Sequence, residues 1–161
     1  MPEEIGTKKG EQEKMLTIIR GLPGSGKSTK ARELAAMTGA ILIEPDMLVT
    51  ANGKYCYTAD RYRYAVEHAQ TILKALSYCD WSKEKGYFTP DVIYADVLPT
   101  AAEVNALLEY CGQEEIRLIT LEITLDEARA RNIHHVREED LRRMAETFEQ
   151  LKIRNGKAVK K

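Results

Sequence analysis

Residues Gly21, Pro23, Gly24, Ser25, Gly26, Lys27, Ser28 and Thr29 belong to the run Gly21-Leu22-Pro23-Gly24-Ser25-Gly26-Lys27-Ser28-Thr29, whose types and spacing suit one task, the holding of a polyphosphate. The glycines let the backbone curl until successive N–H groups point inward at an anion. A helix starting near Lys27 then turns its positive N-terminal end toward the same charge. The Lys27 ammonium is expected to reach the β- and γ-phosphates, and the Ser28 hydroxyl to ligate Mg²⁺. The run also stands where this chemistry requires, after the strand-like Met15-Leu16-Thr17-Ile18-Ile19 and before the helical pattern Lys30-Ala31-Arg32-Glu33-Leu34-Ala35. A glycine turn arising by chance would lack that context.

Acidic residues come next. In open α/β sheets, ligands sit outside the carboxyl ends of the strands, so carboxylates at those ends are candidates. Asp96 closes the apolar strand Val92-Ile93-Tyr94-Ala95, which places it across from Ser28, in position to hold Mg²⁺ directly or through water. Asp46 lies three residues beyond the strand ending at Ile43 and is suited to accept a proton from an attacking hydroxyl. The competing reading of each is a turn or helix-cap aspartate. The arginine-rich stretch Arg129 to Arg143 reads as a closing lid with at least one catalytic arginine, because phosphoryl transfer spreads negative charge that guanidinium groups stabilise. The alternative there is a solvated basic face neutralised by Glu127, Glu138, Glu139 and Asp140.

Histidines carry no role in this reading. His68 and the pair His134-His135 are taken as packed or surface residues, since phosphoryl transfer needs positioning and charge rather than a histidine dyad. Tyr55, Tyr57, Tyr62 and Tyr64 cluster on the acceptor side, where aromatic faces stack on bases, with core packing an equal explanation for at least half of them. Trp81 stands in the polar loop Asp80 to Gly86, as a hydrophobic-edge cap or an exposed contact.

The elements that must position these groups alternate along the chain. A strand near 15–20 leads to a helix over 27–38, a strand over 40–43, and a helix over 59–78 whose apolar face is Tyr62, Ala65, Val66, Ala69, Ile72, Leu73 and Leu76. A strand over 92–95 precedes a helix at about 100–111, with Thr100 as N-cap and Glu103 completing a capping box. A strand over 116–123, a short helix opening at Asp126 and a last helix over 138–152 complete the series. Such alternation predicts a parallel sheet covered on both faces.

With 161 residues and 43% hydrophobic composition, the chain is long enough for one good core and short for two ordinary domains. Residues 1–14 read as a flexible arm, 15–152 as the domain and 153–161 as a basic, solvated tail. No apolar run reaches the roughly 18 residues of a membrane helix, and Met1-Pro2-Glu3-Glu4 lacks a secretory layout, so a cytosolic protein is expected. Cys56, Cys79 and Cys111 support neither a disulfide framework nor a zinc site and are expected as reduced thiols. The net charge of −1, from 24 basic and 25 acidic residues, makes any nucleic-acid attraction local, to the 129–143 stretch or the tail.

Several of these features together resemble the polynucleotide-kinase group of P-loop kinases over about residues 15 to 150. They are the order of residues 18–29, an Asp after the second strand, Tyr55-Cys56-Tyr57 followed by Glu67-His68-Ala69, an Asp after the third strand, and Arg131-Asn132-Ile133-His134 leading to Leu141-Arg142-Arg143-Met144. The resemblance implies a three-layer kinase-type α/β fold, with a mainly parallel sheet of about four to five strands and an Arg-bearing lid. It implies ATP and Mg²⁺ as cofactors, and transfer of the γ-phosphate to the 5′-hydroxyl of a nucleic acid. It assigns the base to Asp46 and the lid arginine to Arg131. The sequence departs from that group where Asp46 is followed by Met47-Leu48-Val49 and Asp96 by Val97-Leu98, and where the lid reads His134-His135-Val136-Arg137. These departures favour, as alternatives, a kinase for a small nucleoside, nucleotide or nucleotide-sugar acceptor, or a nucleotide-binding module without catalysis.

Overall fold

In the computed structural model, residues 15–78, 91–111, 115–132 and 135–161 are described. The arm 1–14, Cys79, the loop with Trp81, Ile133 and His134 lie outside them. Strand β1 (Met15–Gly21) alternates its side chains between two buried faces, Leu16 and Ile18 on one, Thr17 and Ile19 on the other. Burial on both sides is what a central parallel strand requires. Strand β2 (Ile41–Ile43) follows helix α1 (Lys27–Thr38), which ends where Gly39 adopts φ 72 and donates its N–H to Ala35 O.

Beyond β2 come a single helical turn α2 (Pro45–Leu48), a short hairpin of β3 (Thr50–Ala51) and β4 (Lys54–Tyr55), and the long helix α3 (Ala59–Tyr78). Strand β5 (Val92–Asp96) is followed by α4 (Ala101–Leu108), β6 (Glu115–Leu121), α5 (Leu125–Ala130) and α6 (Glu138–Thr147). Thr100 caps α4, and its side chain and that of Glu103 satisfy each other's backbone N–H groups as the sequence predicts. The central sheet runs β2-β5-β1-β6 with every pair parallel. The α/β fold with a parallel sheet is therefore as the sequence implies, with four strands.

Helix α1 covers one face through Ala31 and Leu34. The other face carries Ala69 and Leu73 of α3 and Val104 and Leu107 of α4. Of the expected apolar face of α3, Ala65, Ala69 and Leu73 are buried but Ile72 is exposed. A third cluster joins Leu22, just after β1, to Ala128 of α5 and Leu141 of α6, so the arginine-bearing helices are fastened to the start of the glycine-rich loop.

Two expectations are corrected at the C-terminus. The last helix ends at Thr147 rather than Lys152, because Phe148 turns to extended backbone and lays its ring under the Arg20 guanidinium, 4.1 Å away. The residues read as a solvated tail form an antiparallel hairpin of β7 (Leu151–Arg154) and β8 (Lys157–Lys160). Its Leu151 and Ala158 enter the core, and Asn155 and Gly156 take left-handed φ of 50° and 74° at the turn.

Candidate active site

The glycine-rich loop is curled. Gly24 and Gly26 have φ of 83° and 90°, the left-handed region where a Cβ is penalised. Ser25 N donates to Leu22 O at 3.0 Å, and the Lys27 ammonium donates back to Gly21 O and Leu22 O at 2.9 and 3.0 Å. Helix α1 opens on Gly26, with no side-chain cap and no acid in its first turn. Its first N–H groups and the positive end of its dipole are therefore left for an outside anion. Among the described residues, Ser25 Oγ is buried without a hydrogen-bond partner.

Strand order brings the acids to the loop. Because β1 and β5 are neighbours, Arg20 pairs in register with Asp96, and Gly21 N donates to Val97 O at 3.3 Å. Asp96 is buried, and its Oδ1 accepts from the Tyr62 phenol and, at 2.8 Å, from Val97 N. Both donors fall on one oxygen of a residue that lines the cleft. Burial pushes the carboxyl up to about 6, with Asp46 adding to the rise and the Tyr62 and Val97 hydrogen bonds and the Lys27 charge opposing it. Burial also lowers the Lys27 ammonium, against the pull of Asp96, Asp46 and Glu44.

Asp46 sits in the first turn of α2, half-buried, where its Oδ1 accepts from the Tyr55 phenol at 3.1 Å. Burial, with the Asp46 charge next in size, raises the Tyr55 phenol, so it stays a donor. The Tyr55 and Tyr57 rings stack with centroids 6.0 Å apart, and Tyr57 meets Tyr62 at 5.8 Å. Tyr64 is not part of this set. It is exposed beneath the Arg63 guanidinium, 5.3 Å from its ring.

Arg131, at the end of α5, lies over the loop: a Cβ built on Gly24 would stand 3.0 Å from Arg131 Cβ and 3.1 Å from its carbonyl oxygen. Among the described residues it makes no ion pair, whereas Arg129 holds Asp126 and Glu138, Arg142 holds Glu138, and Arg137 and Arg143 hold Asp140. Asn132 closes the turn beyond it, donating to Val136 O at 2.7 Å and accepting from Val136 N at 2.9 Å.

Lys27, Ser28, Asp46, Asp96 and Arg131 all line one cleft of about 1200 Å³, together with Pro23, Gly24, Gly26 and Thr29. The same cleft is lined by Val66 and Gln70 of α3, by Tyr94 and Leu98, and by Ala106 and Leu107 of α4. Asp46, Tyr55, Tyr57 and Tyr62 line the same cleft. Among the described residues no group of three acidic, histidine or cysteine side chains could hold a metal unaided. A divalent ion here would draw ligands from Ser28, Asp96 and the nucleotide itself, the arrangement in which Mg²⁺ is ordinarily held.

Sequence reasoning missed three features. It read Tyr55 and Tyr62 as stacking surfaces or core packing, yet their phenols hold the two carboxylates. It passed over Arg20, whose fully buried guanidinium donates to Leu98 O, Pro99 O and Thr120 Oγ1 at 2.8, 2.9 and 3.2 Å, fixing the segment that follows Asp96. A lone arginine ending an apolar strand was the available signal. It also missed α2, which carries Asp46 and was marked by Pro45 at a helix start. His68 is exposed, as expected of a surface residue, and His135 lines the cleft with φ 53.

No protein-family model and no curated protein matches the chain. Solved structures do. A gluconokinase from Sinorhizobium meliloti 1021 aligns with TM-score 0.57 and 17% identity, over 87% of this chain and 78% of that one. A sugar kinase from Janibacter sp. HTCC2649 aligns with TM-score 0.53 and 17% identity, over 88% and 80%. A chain of the Pnkp1/Rnl/Hen1 RNA repair complex aligns with TM-score 0.67 and 14% identity, over 89% of this chain and 46% of that longer one. At these identities the likeness speaks to architecture alone, a parallel α/β sheet flanked by helices that this chain shares with these structures.

Proposed function

We propose that this protein is an ATP-dependent phosphotransferase whose acceptor is a hydroxyl group, most readily the 5′-hydroxyl of a nucleic acid. The observation that carries it is the cleft itself, in which an uncapped helix N-terminus and Lys27 stand at one end and Asp46 beside stacked tyrosines stands further in. In this reading the α1 amides and Lys27 hold the β- and γ-phosphates. Asp46 takes the proton from the acceptor hydroxyl, whose oxygen forms the new bond to the γ-phosphorus as the bridging bond to the β-phosphate breaks and ADP leaves. Tyr55 steadies Asp46, and Arg131, which makes no ion pair among the described residues, stabilises charge on the migrating group. Ser28 and Asp96 are the residues that would hold Mg²⁺, which supplies positive charge to the phosphates.

The stacked Tyr55 and Tyr57 offer aromatic faces to a terminal base beside the proposed base Asp46. A second reading, a small-molecule acceptor, draws on a different observation: Arg129, Arg137, Arg142 and Arg143 are engaged by acids, which leaves little positive surface at the lid for a strand's backbone. Incubation with γ-labelled ATP, Mg²⁺ and either 5′-hydroxyl oligonucleotides or nucleosides and sugars separates the two. Label on the oligonucleotide that disappears in Asp46→Asn is the expected result. Label on small acceptors alone overturns the nucleic-acid reading, and bound ATP with no transfer to any acceptor overturns the phosphotransferase. Lys27→Ala is expected to lose at least about a hundredfold in turnover, because the phosphate charge is left uncompensated.

A further inference from the structure

The C-terminal hairpin carries a patch that the cleft does not use. In an antiparallel pair, residues directly opposite share a face. Leu151 and Ile153 therefore turn inward with Ala158, while Lys152 and Arg154 lie on the other face with Lys157 and Val159. Lys152, Arg154 and Lys157 are exposed. Among the described residues none of the three is ion-paired; the hairpin's one ion pair is Lys160 with Glu149, at 3.0 Å. No acidic residue occurs from Leu151 to Lys161. Three like charges are thus gathered on a two-stranded surface at ladder spacing, about 5 Å between the opposed pair. Such crowding is unfavourable without an anion.

The hairpin is also anchored to the inner rim of the cleft. Glu149 N donates to Pro99 O at 2.8 Å, and the Glu149 carboxylate accepts from Ala101 N at 2.8 Å. Asn105 of α4 exchanges two hydrogen bonds with Ala158, at 2.9 and 2.8 Å, next to the cleft residue Ala106. The hairpin is therefore tied to Pro99, Ala101 and α4 through its inward side, and its basic face is turned away from that core toward solvent.

We propose that the Lys152, Arg154 and Lys157 face of the hairpin is a docking surface for the phosphate backbone of a single-stranded nucleic acid whose end enters the cleft. The inference rests on the nucleic-acid reading above and supplies the positive surface that the lid lacks. Three cations neutralising three phosphates predict a contribution of about −2 to the slope of log affinity against log salt, from about −0.7 per contact on a single strand.

The test is fluorescence anisotropy of a labelled single-stranded 5′-hydroxyl oligonucleotide with the full chain, across a salt series and without ATP. The Lys152→Gln, Arg154→Gln, Lys157→Gln triple variant should bind at least about tenfold more weakly at low salt and lose about 2 from the slope. Its circular dichroism and thermal midpoint should match the parent, since all three side chains are exposed. A control with Arg32→Gln and Lys74→Gln, exposed on α1 and α3, should bind as the parent does. An unchanged slope in the triple variant, an equal loss in the control, or capture by phosphatidylserine vesicles with no oligonucleotide binding each overturns the proposal. Hairpin-dependent binding without phosphate transfer would leave this surface standing and sink the proposed reaction. Transfer to an oligonucleotide with hairpin-independent binding would do the reverse.

Discussion

The Tyr62 phenol donates its proton to Oδ1 of Asp96, so a residue on the second turn of α3 reaches the carboxyl end of β5 and holds one oxygen of a buried acid. Burial raises the Tyr62 phenol well above its ordinary range, with the Asp96 charge the next contributor, so it remains protonated and able to donate. Together with Val97 N on the same oxygen, it fixes the orientation of the carboxylate.

The buried acid makes stability depend on pH. The Asp96 carboxyl is raised from 3.8 to about 6, so between these values the folded protein keeps a proton that the unfolded chain has released. Stability from this group accordingly falls as pH rises through that window, and the penalty is complete above it. Asp96→Asn retains an oxygen for Tyr62 and Val97 and is expected to unfold later in urea than the parent near about pH 7, by up to about 3 kcal/mol. The difference should close below about pH 4. Equal midpoints for the two proteins at neutral pH, in metal-free buffer, would contradict the assignment.

The lid arginines should divide by their partners. Arg131→Ala removes the cation over Gly24, unpaired among the described residues, and is expected to lower turnover by about a hundredfold or more with little change in thermal midpoint. Arg129→Ala breaks solvent-screened pairs to Asp126 and Glu138 and should leave turnover nearly intact. Comparable kinetic losses in both variants would show that the difference in pairing carries no catalytic meaning.

Two glycines in the loop offer a graded test. Ala at Gly26 meets no atom within 4 Å and suffers only the left-handed backbone, a cost of about 1–2 kcal/mol. Ala at Gly24 bears the same backbone cost and also presses on Arg131, for a total of about 2–4 kcal/mol. Thermal unfolding should therefore rank Gly24→Ala below Gly26→Ala. The opposite order would place Arg131 elsewhere.

Arg20 should matter to stability out of proportion to its distance from the chemistry. Arg20→Met strands the carbonyls of Leu98 and Pro99 and is expected to cost about 2–4 kcal/mol in denaturant unfolding. Arg20→Lys, whose single ammonium lacks the guanidinium's fork, should fall between. A fully stable Arg20→Met protein would mean that water satisfies those carbonyls.

Local signals were legible where they act within a few residues. The curled loop, the N-terminus of α1 at Lys27, the span of α3 from Ala59 to Tyr78 and the Thr100–Glu103 capping box depend on neighbouring backbone and short side-chain reach, and the sequence contains them all. The C-terminal hairpin was legible in principle, since Asn155-Gly156 is a strong turn pair between alternating residues, but the helical run before it masked the change at Phe148.

What the amino-acid order determined by itself is a glycine-rich turn between a strand and a helix, with an acid at the end of a later strand. Tertiary structure decided the rest. Only the β2-β5-β1-β6 order sets Asp96 beside the loop, and only the packing of α3 delivers Tyr62 across 34 residues to that acid. The physical reason is range: propensities and caps act along the chain, whereas the partners of Arg20, Asp96 and the hairpin are chosen by which buried surfaces close together, and that choice is made by the whole core at once.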